Sequence, residues 1–206
     1  MLVIHHLNDS RSQRILWLLE ELGQPYELRR YERDAVTRLA PPELLAVHPL
    51  GKSPVLESQG RTVIESGAIV DHLLRHHGAG LRPNETDAAF DEYQQWLHYA
   101  EGSAMLPLML KLYTARLGEA AAPLKPRIDS ELALHLGFVD KALAGREWLL
   151  GDFGFSGADV QMSFVGEAAG KLRAQFPNLD AWVRRLQARP AYQRALEKGG
   201  PYAYAR

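Results

Sequence analysis

The 206-residue chain sets 24 lysines and arginines against 25 aspartates and glutamates, a formal charge of −1, so its balance gives no reason to expect electrostatic capture of nucleic acid or of an anionic membrane. It contains no cysteine, which excludes disulfides, thiolate metal ligands and a nucleophilic thiol of its own, so any thiol chemistry must come from a ligand. No window approaches the roughly 20 apolar residues of a membrane span, and no basic segment followed by an apolar run stands at the N-terminus, which makes a cytoplasmic location the expectation.

In chain order, Leu2-Val3-Ile4 within residues 1–6 reads as a short buried strand. A polar stretch, Leu7-Asn8-Asp9-Ser10-Arg11-Ser12, leads into a helix whose apolar positions Ile15, Leu16, Leu18, Leu19 and Leu22 recur at helical spacing, with Gly23 as its C-cap. Tyr26 to Tyr31 alternates like a second strand, and Pro42 to Val47 forms a short helix that His48-Pro49 stops. Val55-Leu56 and Arg61 to Ile64 flank Glu57-Ser58-Gln59-Gly60 as a β-hairpin. A helix then runs from Ser66 to about His77 on Ala68, Ile69, Val70, Leu73 and Leu74. The expected order is βαβαββα.

Within this half, three features describe a ligand. Pro54 stands at the entrance of the hairpin, where a missing N–H removes no central ladder bond and an X-Pro bond is readily cis; Ser53 would then turn its backbone outward to pair with an extended peptide-like ligand. Ser66 opens a helix whose free N–H groups and positive dipole end attract a carboxylate. Glu65 beside it suits an ammonium group. The turn before the first helix offers a hydroxyl donor to a bound ligand, Ser10 or Ser12, with Asn8 and Arg11 as neighbouring donors that the residues alone do not rank.

Gly78-Ala79-Gly80-Leu81-Arg82-Pro83-Asn84 is rich in breakers, and the domain boundary is placed there: residues 1–78 form the first domain, 79–87 a linker and 88–206 an all-α second domain. Phe90, Tyr93, Trp96, Leu97, Ala100, Ala104 and Leu108 mark a long helix with Pro107 as an expected kink. Another runs from about Pro126 to Leu143. Ser156 and Asp159 have the spacing of a capping box at the head of an apolar helix, and Pro177 and Pro190 punctuate two terminal helices. The eight histidines give no metal-ligand spacing, since His5-His6 and His76-His77 are adjacent pairs, so no metal is expected.

The ligand those features describe carries a carboxylate and an amine on one carbon, joined to an extended peptide, and at these residues the sequence resembles the glutathione transferase family over nearly its whole length. The resemblance implies a thioredoxin-like first domain followed by the helical one, with glutathione as co-substrate. It implies that Ser53 and Pro54 meet the cysteinyl part of glutathione, that Glu65 and Ser66 hold its γ-glutamyl end, and that Lys52 faces its glycine carboxylate. Ser10, four residues before Arg14, is similar in position to the catalytic hydroxyl of the serine-type classes, including theta-like and yeast-type enzymes; the tyrosine-type pattern is absent because no tyrosine precedes Tyr26. Tyr99, Met105, Met109 and Tyr113 are implied as the pocket for an apolar, electrophilic co-substrate. The resemblance further implies a homodimer and a role in detoxification. Two alternatives remain at this stage, a glutathione-dependent disulfide or peroxide reductase and a non-catalytic binding module of the same fold.

Overall fold

The computed structural model describes residues 1–78 and 80–205; Ala79, within the expected linker, and Arg206 lie outside the described residues. Its first half follows the expected order: β1 (Leu2–Leu7), α1 (Ser12–Glu21), β2 (Tyr26–Tyr31), α2 (Glu43–Val47), β3 (Val55–Ser58), β4 (Arg61–Val63) and α3 (Ser66–His77). The strands form one sheet in the order β2-β1-β3-β4. β1 and β2 are parallel, with Ile4 opposite Leu28, which requires a crossover between them, and α1 is that crossover. β3 runs antiparallel to β1, with Leu56 opposite Ile4, and pairs antiparallel with β4 through the Gln59-Gly60 turn. This is the thioredoxin-like arrangement.

Two compact units emerge. One comprises residues 1–82 together with 187–206, the other residues 83–186. The expected boundary near residue 78 falls close to the end of the first stretch, but the last helix, α9 (Pro190–Gly199), groups with the first unit rather than with the other helices. The reason lies in α1, which is buried around nearly its whole circumference. One side packs on β1 and α3, and the other receives α9. Trp17 meets Tyr192 edge-on with ring centroids 5.3 Å apart. At the rim the Glu20 carboxylate accepts hydrogen bonds from Tyr26, Arg194 and Lys198, and Glu21 takes Arg189 through both carboxylate oxygens, at 2.6 and 3.0 Å.

The second unit is helical. α4 (Phe90–Tyr99) and α5 (Met105–Thr114) are joined by a π-helical turn at Ala100–Ala104, and α6 (Lys125–Ala142), α7 (Gly157–Ala168) and α8 (Pro177–Gln187) follow. The interruption of the long helix thus precedes Pro107 instead of lying at it. Proline has no N–H and its ring crowds the carbonyl four residues back, here Ser103 within the widened turn. At the head of α7 the capping box forms as its spacing predicts: Ser156 Oγ accepts the Ala158 N–H at 3.2 Å, and Asp159 Oδ2 accepts the Ser156 N–H at 3.0 Å. Asp159 Oδ1 also accepts the Leu149 N–H and the Trp182 indole N–H, so a single buried carboxylate ties α7 to α8 and to the preceding loop.

Candidate functional site

All of the first-unit candidates gather at the C-terminal end of β1, the start of α1, the entrance of β3 and the start of α3. The Ser53-Pro54 bond is cis. Pro54 is buried and Ser53 half-buried, and the Ser53 hydroxyl donates to the His5 carbonyl at 2.8 Å. Among the described hydrogen bonds none uses the Ser53 backbone N–H or C=O, which leaves this pair of groups for an extended ligand. Lys52 beside it is exposed.

Ser66 is the first residue of α3 and is buried. Glu65 before it is exposed and has a φ of 67°, in the left-handed region, and no side chain caps this helix end. The start of a helix carries the positive end of its dipole, which attracts an anion. The Ser66 hydroxyl accepts from Arg14 Nη1 at 3.1 Å. Arg14 had served in the sequence only to place Ser10; in the structure its buried guanidinium links the start of α1 to the start of α3. The signal that could have found it was a charged residue set in an otherwise apolar helix face.

Ser10 is buried, and its Oγ lies 2.8 Å from Ser12 Oγ and accepts the Ser12 N–H at 3.2 Å. The Leu7 N–H is shared between Ser12 Oγ at 3.1 Å and Ser53 Oγ at 3.2 Å. Ser12 and Ser53 thus converge on one backbone amide at the end of β1, and Ser10 joins them through Ser12. Asn8 uses its carboxamide oxygen to accept the Arg33 N–H at 2.8 Å, and its carbonyl takes Arg33 Nε. Asp9 has a φ of 49° and is pinned by Arg38 at 2.6 Å and by the Ala203 N–H at 2.8 Å. Arg11 is half-buried on the same turn.

Of the four residues named for a co-substrate pocket, Tyr99 ends α4, and Met105, Met109 and Tyr113 recur every four residues along α5. Within the second unit a cleft of about 1130 Å³ is lined by Trp96, Tyr99 and Phe138, with His98, Lys141 and Arg146 among the polar groups. Tyr99 belongs to it, and its hydroxyl lies 2.7 Å from His135 Nδ1. Burial pushes the Tyr99 phenol up to about 12. Met105 is buried, Met109 half-buried and Tyr113 exposed, and none of these three lines the cleft. The stretch Met105 to Tyr113 follows the π-helical turn and so stands on a different helix from Tyr99.

Residues 1–75 match the family described as glutathione S-transferase, N-terminal domain. The chain is 37% identical to glutathione S-transferase 3 of Schizosaccharomyces pombe, over 96% of this chain and 88% of that protein. A crystal structure of a glutathione S-transferase from Actinobacillus pleuropneumoniae matches with a TM-score of 0.89 at 34% identity, covering 100% of this chain and 96% of that one. A glutathione transferase family member from Pseudomonas fluorescens Pf-5, solved with two glutathione bound, matches with a TM-score of 0.80 at 28% identity over 95% and 92% of the two chains. These matches span both units and not only the thioredoxin-like one, and on that basis the chain belongs to the glutathione S-transferase family of enzymes.

Proposed function

We propose that the first unit binds glutathione and that Ser10 lowers the pKa of its thiol, so that the thiolate attacks a small electrophile. The observation that carries this reading is the meeting of Ser12 and Ser53 at the Leu7 N–H, with Arg14 reaching Ser66. A sulfur lying beside Ser10 would therefore belong to a peptide whose backbone pairs with Ser53 and whose α-carboxylate sits at the start of α3. Glu65 would take the α-amine, and Lys52 the far carboxylate. The required effect is modest: a thiol of pKa about 8.5 is roughly 3% ionised at pH 7, whereas a pKa of about 6.5 gives roughly three quarters, a difference under about 3 kcal/mol. One hydrogen bond from a hydroxyl at the positive end of α1 is of that order. The chain supplies no thiol of its own, so the nucleophile is the bound one. A cytoplasmic homodimer acting on electrophilic compounds, with Tyr99 on the co-substrate side, completes the reading.

Calorimetric titration with glutathione tests it. Wild-type protein should bind, and Glu65→Ala should weaken binding by about 1–3 kcal/mol through loss of a charge-assisted bond. Ser66→Ala should weaken it as well, although that change also removes an Arg14 partner. Unchanged affinity in both variants would remove the α3 end from the site.

A further inference from the structure

Between the end of β1 at Leu7 and the start of α1 at Ser12 no regular element directs the chain. The two ends of this turn are tied where Ser12 Oγ accepts the Leu7 N–H, and the path between them, on which Ser10 stands, is set by backbone dihedrals. Asp9 decides that path. Its φ of 49° lies in the left-handed region, which a residue with a Cβ keeps where its surroundings hold it there, aspartate and asparagine being the most tolerant. Ser10 follows directly, so the direction of its side chain depends on the peptide that Asp9 turns.

Two distant segments of the first unit supply the hold. One is the loop after β2. Arg38 Nη2 donates to Asp9 Oδ2 at 2.6 Å, Arg33 Nη2 to the Asp9 carbonyl at 3.3 Å, and Arg33 Nη1 to the Arg38 carbonyl at 3.0 Å. Asp34 shapes this loop in turn, its carboxylate accepting the Val36 and Thr37 N–H groups at 3.0 and 2.6 Å. The other segment follows α9. Gly200, with a φ of 83°, turns the chain off the helix at a point where a Cβ would run into the Arg30 guanidinium. Ala203, 194 residues from Asp9, then gives its N–H to Asp9 Oδ1 at 2.8 Å. This segment has a fold of its own: the Ala205 N–H donates to the Tyr202 carbonyl at 3.3 Å, and the Tyr202 and Tyr204 rings stand 5.4 Å apart. Each carboxylate oxygen of Asp9 is therefore engaged by a different segment. The Asp9 side chain is 15% exposed against 45% for Arg38, so the junction lies largely out of solvent, where a charge-assisted bond from a backbone N–H is strong.

We infer that Asp9 is a positioning residue for the thiol chemistry, and that residues 201–205 act on Ser10 through it: the segment after α9 holds the turn on the path that points the Ser10 hydroxyl at the bound sulfur. The inference rests on the proposed role of Ser10. It assigns a role to a carboxylate and a chain segment outside the groups assigned to glutathione.

A protein ending at Gly200 keeps α9 and loses the Ala203 N–H. Ala203→Pro removes that N–H, leaves the rest of the segment in place and carries the same test without shortening the chain. In glutathione-loaded protein, followed by the ultraviolet absorbance of the thiolate, each should raise the bound thiol pKa by about half a unit or more, about a threefold loss of thiolate below that pKa, with glutathione affinity within several-fold. Asp9→Ala should shift it at least as far, and Asp9→Asn, which keeps an acceptor for Ala203 and a tolerance for positive φ, should recover part of the shift. The decisive measurement repeats these changes beside Ser10→Ala. None of them should then move the thiol pKa further, because the path they disturb ends at the Ser10 hydroxyl. A shortened chain and an Ala203→Pro variant that both titrate like the wild type would overturn this inference alone. A shift that persists at full size beside Ser10→Ala would do so too, since the segment would then reach the sulfur by another route. Absence of glutathione binding by the wild type, or a Ser10→Ala thiol that titrates like the wild type, would overturn the parent reading and this inference with it.

Discussion

A hydroxyl lowers the pKa of a neighbouring thiol only if its proton is free to point at the sulfur, and Ser10, 4% exposed, has neighbours that compete for that proton. Its geometry makes Ser10→Ala the sharpest substitution at this scale. The variant should raise the pKa of bound glutathione by about one unit or more and slow conjugation near pH 7, with glutathione affinity within several-fold because the peptide contacts lie at Ser53, Glu65 and Ser66. The rate deficit should shrink at high pH, since above the raised pKa the thiolate forms without help. An unchanged thiolate titration in this variant would transfer the role to Asn8, Arg11, Ser12 or a backbone amide.

Among the elements, α9 owes its place to the side of α1 that the sheet leaves uncovered. Ala191, Tyr192 and Ala195 are buried there, and Glu20 anchors the rim. Burial by itself would raise the Glu20 carboxyl, but the hydrogen bonds from Lys198, Tyr26 and Arg194 outweigh it and hold the group below the usual carboxylate range. A carboxyl depressed in this way stabilises the fold at pH values above its unfolded pKa, and that contribution fades as pH falls through the lowered folded value. Glu20→Gln should therefore lower stability at neutral pH by about 1–2 kcal/mol, toward the low end of the charged hydrogen-bond range because Arg194 and Lys198 are half exposed. Urea unfolding at neutral and acid pH measures this. The gap between the two proteins should close as the pH is lowered, and a gap that stays constant would mean that Glu20 acts through packing.

For the whole molecule, the second unit leaves large apolar side chains in solvent: Leu106, Leu112, Leu134 and Phe138 are each more than half exposed, at 59, 52, 63 and 52%. Apolar surface of this extent on a chain with no membrane-spanning helix among its described residues is expected to be covered by a second copy. Light scattering at micromolar concentration should give twice the chain mass of 23.1 kDa. A monomeric mass under those conditions would require another explanation for these side chains.

Local chemistry by itself determined a good part of this protein. The hydrophobic periods placed β1, α1, β2, the hairpin and α3, and the Ser156-x-x-Asp159 spacing placed a cap that forms as written. The proline at the entrance of β3 and the helix start at Ser66 were legible because each depends on backbone chemistry at fixed offsets. Tertiary structure decided the rest, because it depends on residues far apart in the chain. That α9 returns to α1 follows from an uncovered helix face that no local pattern reveals. The π-helical turn sets Tyr99 on one helix and Met105, Met109 and Tyr113 on the next, an interruption whose place Pro107 alone did not locate. Arg14 reaching Ser66, and His6 reaching Ser10 through Ser12, are meetings of side chains across elements. A sequence shows which of these groups are polar, and only the packing of β1 against α1, α3 and α9 shows what each of them faces.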